Sequence, residues 1–216
     1  MIERIAMTAE SRRAFYFRRL HSLLGIVPIG AFFCEHVLTN SLAFFEGPEK
    51  FDRAALFLQE LPFIRFLEIF LIGIPILLHA VLGLTVWWSS RCNPHEYGYL
   101  RNWLHFLQRW TGIAALVFIL VHVWEMRISW TFHSGMEHVD FAYVSQVFNR
   151  SLLVPFYVAG VACASFHFVN GLWNFMITWG IAVSERSQRD LLALCGIVGI
   201  AVFCGFMFSL AAFVAA

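Results

Sequence analysis

Charged side chains are scarce in this sequence. Only 13% of its 216 residues are charged and 60% are hydrophobic, whereas a soluble globular domain is about 25% charged. The mean hydropathy is +0.70. Polar groups are too few to cover a water-facing surface or to keep the chain disordered, so the composition excludes both classes and indicates a membrane protein.

An excess of one charge sign is also missing. The chain has 15 Lys and Arg residues against 14 Asp and Glu residues, which gives a net charge of +1. A nucleic-acid-binding surface needs a basic field that attracts phosphates. The sequence therefore predicts no nucleic-acid partner.

Several cofactor motifs are absent. The sequence contains no C-x-x-C-H motif, which excludes covalent haem attachment of the c type. It also has no Gly-rich dinucleotide motif and no cysteine cluster suited to an iron–sulfur centre. The five cysteines lie mostly in apolar runs and are expected to be small buried hydrophobic residues: Cys34, Cys92, Cys163, Cys195 and Cys204.

Five apolar runs are long enough to cross a bilayer. A hydrocarbon core of roughly 30 Å requires about 20 residues at the helical rise. We therefore predict an all-α membrane protein in which residues 1–216 form one transmembrane domain. The basic N-terminus leads into a span, because its apolar run is too long for a cleaved signal peptide. The predicted spans are 20–43, 62–89, 103–130, 152–183 and 191–215.

The positions of Lys and Arg predict the direction of the spans. Cytoplasmic loops hold an excess of these residues. Ten of the 15 fall on the side of the N-terminus, which predicts a cytoplasmic N-terminus and, with an odd number of spans, a C-terminus outside. The long connections 44–61 and 131–151 then leave room for a site at the outer face. The ten residues are Arg4, Arg12, Arg13, Arg18, Arg19, Arg91, Arg101, Arg109, Arg186 and Arg189.

Each of the first four spans carries one histidine well inside its apolar run. A polar ring in hydrocarbon needs a partner inside the bundle. A single such histidine is most simply explained by a hydrogen bond between helices. Four on separate helices favour metal ligation, because neutral imidazole is a common ligand of iron and similar metals. The four are His36, His79, His122 and His167.

Depth along the helices indicates how the four histidines pair. In two outward-running spans, His36 lies 17 residues past Arg19 and His122 lies 13 past Arg109, so both are expected in the outer half. His79 and His167 lie 17 and 15 residues into inward-running spans and are expected nearer the cytoplasm. Two bis-histidine levels suit two haems. The difference in depth disfavours a single four-histidine metal site.

Two other classes of protein remain as alternatives at this point. In a haem-free structural anchor, the four histidines would make only hydrogen bonds between helices. In a proton-coupled transporter, the histidines and nearby carboxylates would form a proton relay. The sequence shows no inverted repeat and no pair of broken helices in matching halves, which argues against the transporter.

Five separated blocks of sequence resemble the cytochrome b subunit of succinate dehydrogenase, of the five-helix, di-haem type found in Bacillus-like succinate:menaquinone reductases and related fumarate reductases. The resemblance extends from about Phe15 to Ser187 and is weaker in the fifth span and the outer loops. The blocks are Tyr16–Gly25, Phe70–Gly83, Gln108–Gly112, His122–Glu125 and Phe166–Trp173.

The resemblance implies a function and a set of partners. It implies two haem b groups, an outer one held by His36 and His122 and an inner one held by His79 and His167. It further implies an anchor that binds the iron–sulfur and flavoprotein subunits and passes electrons through the haems to a quinone, most simply menaquinone. The location implied is the inner membrane of a prokaryote, and the same role in a quinol:fumarate reductase is the nearest alternative. A higher oligomer of the complex is left open.

Five polar residues near the expected cytoplasmic ends of spans one and three have two interpretations. They could contact haem propionates or the iron–sulfur subunit, because guanidinium groups suit carboxylates. Alternatively, the arginines set topology and extend to the interface. Because they lie in the family-like blocks, we favour the first interpretation for Arg19, His21, Ser22, Gln108 and Arg109.

The quinone site is expected at the outer face. Quinone reduction takes up protons and needs polar groups beside an apolar pocket. Glu60, before the second span, is the first candidate, and fumarate reductases of the family resemble this arrangement. A solvated carboxylate near a helix end is the alternative.

Overall fold

The described residues form an almost entirely α-helical protein in a computed structural model. The structure describes residues 9–90, 92–129, 138–150 and 152–216, and these ranges contain no β-strand. Two π-helical segments, Glu68–Gly73 and Trp124–Ile128, join α4 to α5 and extend α6. The α-helices are α1 (Ala9–Ile26), α2 (Pro28–Phe45), α3 (Pro48–Gln59), α4 (Ile64–Leu67), α5 (Ile74–Ser89), α6 (Leu100–Val123), α7 (Phe141–Phe148), α8 (Leu153–Thr178) and α9 (Glu185–Val214).

Five helical runs in the described residues are long and apolar enough to cross a membrane. This confirms the predicted all-α, five-span fold class. The direction of the spans in the bilayer stays a prediction, and Arg4 and Arg91, which contribute to it, lie outside the described residues. The runs are Arg12–Phe45, Ile64–Ser89, Leu100–Ile128, Leu153–Thr178 and Glu185–Val214.

Local capping moves two span limits from their predicted positions. The fourth run ends at Thr178, and Gly180 follows in the left-handed region with φ 71°, where glycine carries no Cβ penalty. The fifth run begins at Glu185 because the Ser184 hydroxyl accepts a hydrogen bond from the Ser187 N–H at 3.1 Å. Hydrophobicity alone assigned the intervening apolar residues to the fourth span.

Proline divides the first run into two helices. Pro28 lies in the first turn of α2, where its missing N–H needs no partner. The Val27 N–H still donates to the Leu23 carbonyl at 2.9 Å, and the Ala31 N–H donates to the Val27 carbonyl at 3.2 Å. α1 and α2 therefore stay continuous enough to act as one span.

The long helices pack as a bundle. α6 packs on α8, α8 on α9, and α9 on α2, while α1 packs on α5 and α8. The α6–α8 contact is close because the Phe118 ring lies directly on Gly160, where a Cβ would overlap it. This pair brings the histidine-bearing helices α6 and α8 together.

The short helices α3 and α7 cover one end of the bundle, and we call them the α3–α7 cap. The Asp52 carboxylate accepts from the Phe141 N–H at 2.7 Å. The Gln59 amide donates to the Val139 carbonyl and accepts from the Val139 N–H, both at 2.9 Å. The largest buried cluster lies beneath the cap and includes Phe51, Phe141, Val144, Val147, Phe148, Tyr157, Leu210 and Phe213.

The two π-helical segments are linked by an ion pair. Arg127 donates to the Glu68 carboxylate at 2.8 Å. Both side chains are more than a third exposed, so the pair contributes at most about 1 kcal/mol. π-Helical turns occur frequently at functional sites, and one of these begins two residues after His122.

Candidate functional site

The four span histidines lie in two pairs. The ring centroids of His36 on α2 and His122 on α6 are 5.6 Å apart, with their planes at 80°. Those of His79 on α5 and His167 on α8 are 6.2 Å apart, with their planes at 84°. The structure thus brings together the same partners that depth along the helices predicts.

The spacing within each pair fits one metal ion between two imidazoles. A ring nitrogen binds a metal at about 2 Å, which places two opposing ring centroids about 6 Å apart. No hydrogen bond joins the two rings of either pair in the described residues. These residues also contain no group of three or more His, Cys, Asp or Glu side chains arranged around one metal position. A single four-histidine site is therefore not formed.

The Nδ1 atoms of His79 and His167 face main-chain carbonyls. The contacts are 2.8 Å to the His21 oxygen and 3.1 Å to the Gln108 oxygen. A carbonyl oxygen accepts only, so both Nδ1 atoms carry the proton and both Nε2 atoms are left with a free lone pair. This is the usual arrangement of a metal-binding histidine.

Two glycines let these rings approach the neighbouring helices. A Cβ on Gly25 would lie 2.6 Å from Cε1 of His79, and a Cβ on Gly112 would lie 2.8 Å from Cε1 of His167. Such separations are too short for real Cβ atoms, so any larger residue would displace the ring. The close approach fixes the rings against α1 and α6.

The His36/His122 pair is surrounded by side chains. The Tyr157 hydroxyl lies 3.3 Å from Nδ1 of His122. Nδ1 of His36 is 3.4 Å from the Asn40 amide nitrogen, which donates to the His36 carbonyl at 2.8 Å. The ring centroids of Phe118 and His122 are 5.7 Å apart. This level is enclosed by aromatic rings beneath the α3–α7 cap.

Two arginines near the His79/His167 pair each have an unsatisfied donor. The Arg19 guanidinium lies over Trp179 at 4.8 Å and donates to the Thr178 carbonyl at 3.3 Å. The Arg109 guanidinium donates to the Cys92 sulfur at 2.9 Å and to the Trp87 carbonyl. The Nε atoms of both arginines are buried without a hydrogen-bond partner. A buried unpaired N–H is costly, and a carboxylate acceptor would satisfy it.

The remaining candidates near this pair are used within the protein. The His21 ring stacks on His79 with centroids 4.0 Å apart. The Ser22 hydroxyl accepts from the Trp179 indole at 3.2 Å. The Gln108 amide donates to the His167 carbonyl at 3.0 Å and accepts from Asn170 at 2.7 Å. Their predicted haem or partner contacts stay predictions.

Comparison with known proteins decides the family. The succinate dehydrogenase/fumarate reductase transmembrane subunit family matches residues 89–207. The succinate dehydrogenase cytochrome b558 subunit of Bacillus subtilis (strain 168) is 47% identical over 177 residues, which cover 82% of this chain and 86% of that protein. The chain belongs to this family of transmembrane subunits. The matched range includes His122 and His167 with the helices that carry them.

Glu60 of this transmembrane subunit lies at the C-terminal end of α3. Its backbone N–H donates to the Leu56 carbonyl at 2.9 Å. Its side chain is exposed and makes no hydrogen bond or ion pair with the described residues. The carboxylate therefore faces outward from the cap, and its predicted part in a quinone site stays a prediction.

Two other carboxylates, near the His36/His122 pair, have partners. Glu35 accepts from the Thr39 hydroxyl at 2.5 Å. Glu125 pairs with Arg150 at 2.8 Å, and its carbonyl accepts from the Tyr143 hydroxyl at 2.7 Å. Burial raises the pKa of the Tyr143 phenol above its ordinary value, although a hydrogen bond with Ser129 opposes the shift. The phenol stays protonated and able to donate.

Sequence reasoning missed Tyr157 and Asn170. Tyr157 is a single hydroxyl in the apolar run Pro155–Val158, and Asn170 is an amide three residues after His167. Polar groups inside a span indicate an internal partner, and that signal is present at both positions. The partner's identity depends on helix rotation, which the sequence does not specify.

Proposed function

We propose that this subunit binds two haem b groups, one between His36 and His122 and one between His79 and His167. When bound, each haem supplies an iron that takes up and releases one electron at a time. The Nε2 atoms of each pair would ligate the iron. The two histidine pairs, each with centroids about 6 Å apart as one shared metal requires, are the observation that carries the proposal.

The surrounding residues would orient each ring and neutralise the haem propionates. The His21 and Gln108 carbonyls accept from Nδ1–H of His79 and His167 respectively. These hydrogen bonds fix the tautomer and the plane of each imidazole ring. The buried unpaired Nε–H groups of Arg19 and Arg109 would donate to propionate carboxylates, since guanidinium and carboxylate are complementary.

The proposed setting is succinate dehydrogenase in the inner membrane of a prokaryote. The Bacillus subtilis relative is named as the cytochrome b558 subunit of that enzyme, and this chain would likewise anchor an iron–sulfur and a flavoprotein subunit. The two histidine levels would lie between the cytoplasmic face, where the iron–sulfur subunit docks, and the outer face, where menaquinone is reduced. Glu60 would take part in proton delivery at that outer face.

The test is a reduced-minus-oxidised spectrum with haem quantitation on the purified complex. The wild type should contain two low-spin b haems per chain. His122→Ala and His167→Ala should each lose a different haem, because each removes one axial ligand from a different pair. His95→Ala, which replaces an exposed histidine outside the spans, should retain both.

Two results would contradict the proposal. A wild-type complex without a haem band would leave a haem-free structural anchor. Loss of the same single haem in both His122→Ala and His167→Ala would show that the pairs are not separate sites.

A further inference from the structure

Tyr157 is the side chain that contacts Nδ1 of His122. Its hydroxyl lies 3.3 Å from that nitrogen, and the residue is only 5% exposed. The rings of Phe118 and Phe148 pack edge-on against the phenol ring, with centroids 5.2 Å and 4.8 Å from its centroid. The hydroxyl position is therefore set by packing on two sides.

Metal ligation fixes the direction of this hydrogen bond. A neutral imidazole that binds a metal through Nε2 carries its proton on Nδ1. Nδ1–H of His122 then donates and the phenol oxygen of Tyr157 accepts. A stronger acceptor on Nδ1 makes the imidazole more electron-rich and a better donor to the metal.

The two histidine pairs differ in the chemistry of their acceptors. At His79 and His167 the acceptors are main-chain carbonyls, which remain when a side chain is replaced. At His122 the acceptor is a phenol, which a single substitution removes. The Asn40 amide nitrogen near His36 is a donor only, so it supplies no acceptor to that ring.

We propose that Tyr157 is a positioning residue for His122, and that it sets the reduction potential of the haem bound between His36 and His122. The inference rests on the proposed function. It assigns control of one haem to a replaceable side chain, and control of the other to the backbone of α1 and α6.

The test is a redox titration of the purified complex, followed optically and by low-temperature EPR, for wild type and Tyr157→Phe. Loss of the acceptor lowers the electron density on the imidazole and destabilises the oxidised iron. One midpoint potential should therefore shift to a more positive value and one low-spin EPR signal should change, while the other haem is unaltered.

Tyr143→Phe is the matched control. Tyr143 is also a buried tyrosine, but its hydroxyl donates to the Glu125 carbonyl. Both haem potentials should stay at wild-type values in this variant. A change common to the two variants would indicate general loosening of the cap and would overturn the assignment.

The remaining outcomes separate this inference from the proposed function. A Tyr157→Phe complex that holds both haems at unchanged potentials overturns the role of Tyr157 and leaves the haem proposal intact. A wild type without haem removes both. If Tyr157→Phe does not assemble, 3-fluorotyrosine at position 157 preserves the shape and weakens the acceptor. A positive shift of one potential then supports the inference, and unchanged potentials overturn it.

Discussion

At the scale of single residues, the site is built from polar atoms that have one partner or none inside an apolar bundle. The Nδ1 atoms of His79 and His167 each face a carbonyl, while the Nε atoms of Arg19 and Arg109 are buried and unpaired. Unpaired buried donors are rare in folded proteins. The carboxylates of a bound haem would supply acceptors for both arginines.

Gly112 should be essential for the His79/His167 haem. In Gly112→Ala the new Cβ would lie 2.8 Å from Cε1 of His167, so the ring must move away from its position opposite His79. We expect about half of the haem to be lost, measured by haem quantitation on the purified complex.

Gly196→Ala is the control for this change. Gly196 is also helical, and a Cβ there would meet nothing within 4 Å. It should keep both haems and gain slightly in stability, since alanine is favoured over glycine in a helix. Full retention of both haems in Gly112→Ala would show that the close contact is not required.

The sequence predicted the histidine pairs but not their surroundings. His36, His79, His122 and His167 can be recognised because each is a histidine well inside a long apolar run, and counting residues gives their depth. The contacts of Gly25 and Gly112 could not be predicted, because they depend on which ring packs on each glycine. That choice is made by helix rotation, which residue counting does not describe.

At the scale of elements, the α3–α7 cap is the main departure from expectation. The sequence indicated long outer connections without assigning helices to them. The structure places two amphipathic helices there, joined by Gln59, Val139, Asp52 and Phe141. Their apolar faces are too short to register as spans, and they become helical by covering the end of the bundle.

Gln59 and Glu60, adjacent at the end of α3, should have different roles. Gln59→Ala removes both hydrogen bonds to Val139 and should destabilise the cap by about 1–3 kcal/mol. Faster amide hydrogen exchange over residues 138–148 would report the change. Glu60→Gln should leave this exchange unchanged, because the Glu60 side chain makes no hydrogen bond or ion pair with the described residues.

The Glu60→Gln variant also tests the predicted part of Glu60 in a quinone site. Glu60→Gln should lower the rate of quinone reduction while both haem spectra stay at wild type, since only a proton carrier is removed. Wild-type quinone reduction in this variant would assign Glu60 to the solvated surface. Equal exchange rates in Gln59→Ala and wild type would contradict the role given to Gln59.

At the scale of the whole molecule, orientation follows from charge and an odd number of spans. The cap carries Arg53, and the opposite end of the bundle carries Arg189 at the start of α9. The excess of arginine at that opposite end predicts that it faces the cytoplasm. The cap would then face outward.

Cysteine labelling in intact cells tests this orientation. In a chain whose native cysteines are replaced by serine, Arg53→Cys should react with a membrane-impermeant maleimide added outside. Arg189→Cys should react only after the membrane is permeabilised. The reverse pattern would invert the orientation and place Glu60 at the cytoplasmic face.

The length of α9 links bilayer thickness to the histidine-bearing helices. The first six of its 30 residues are polar or charged, and the 24 that follow span about 36 Å, against a hydrocarbon core of roughly 30 Å. Leu210 and Phe213 are buried beneath the cap, so a tilt that fits this span to the bilayer would turn about that end. A thinner bilayer would displace the Glu185 end of α9 sideways. The Trp173 indole of α8 donates to the Gln188 carbonyl of α9 at 2.9 Å. Through this contact, α8 and His167 would move with α9.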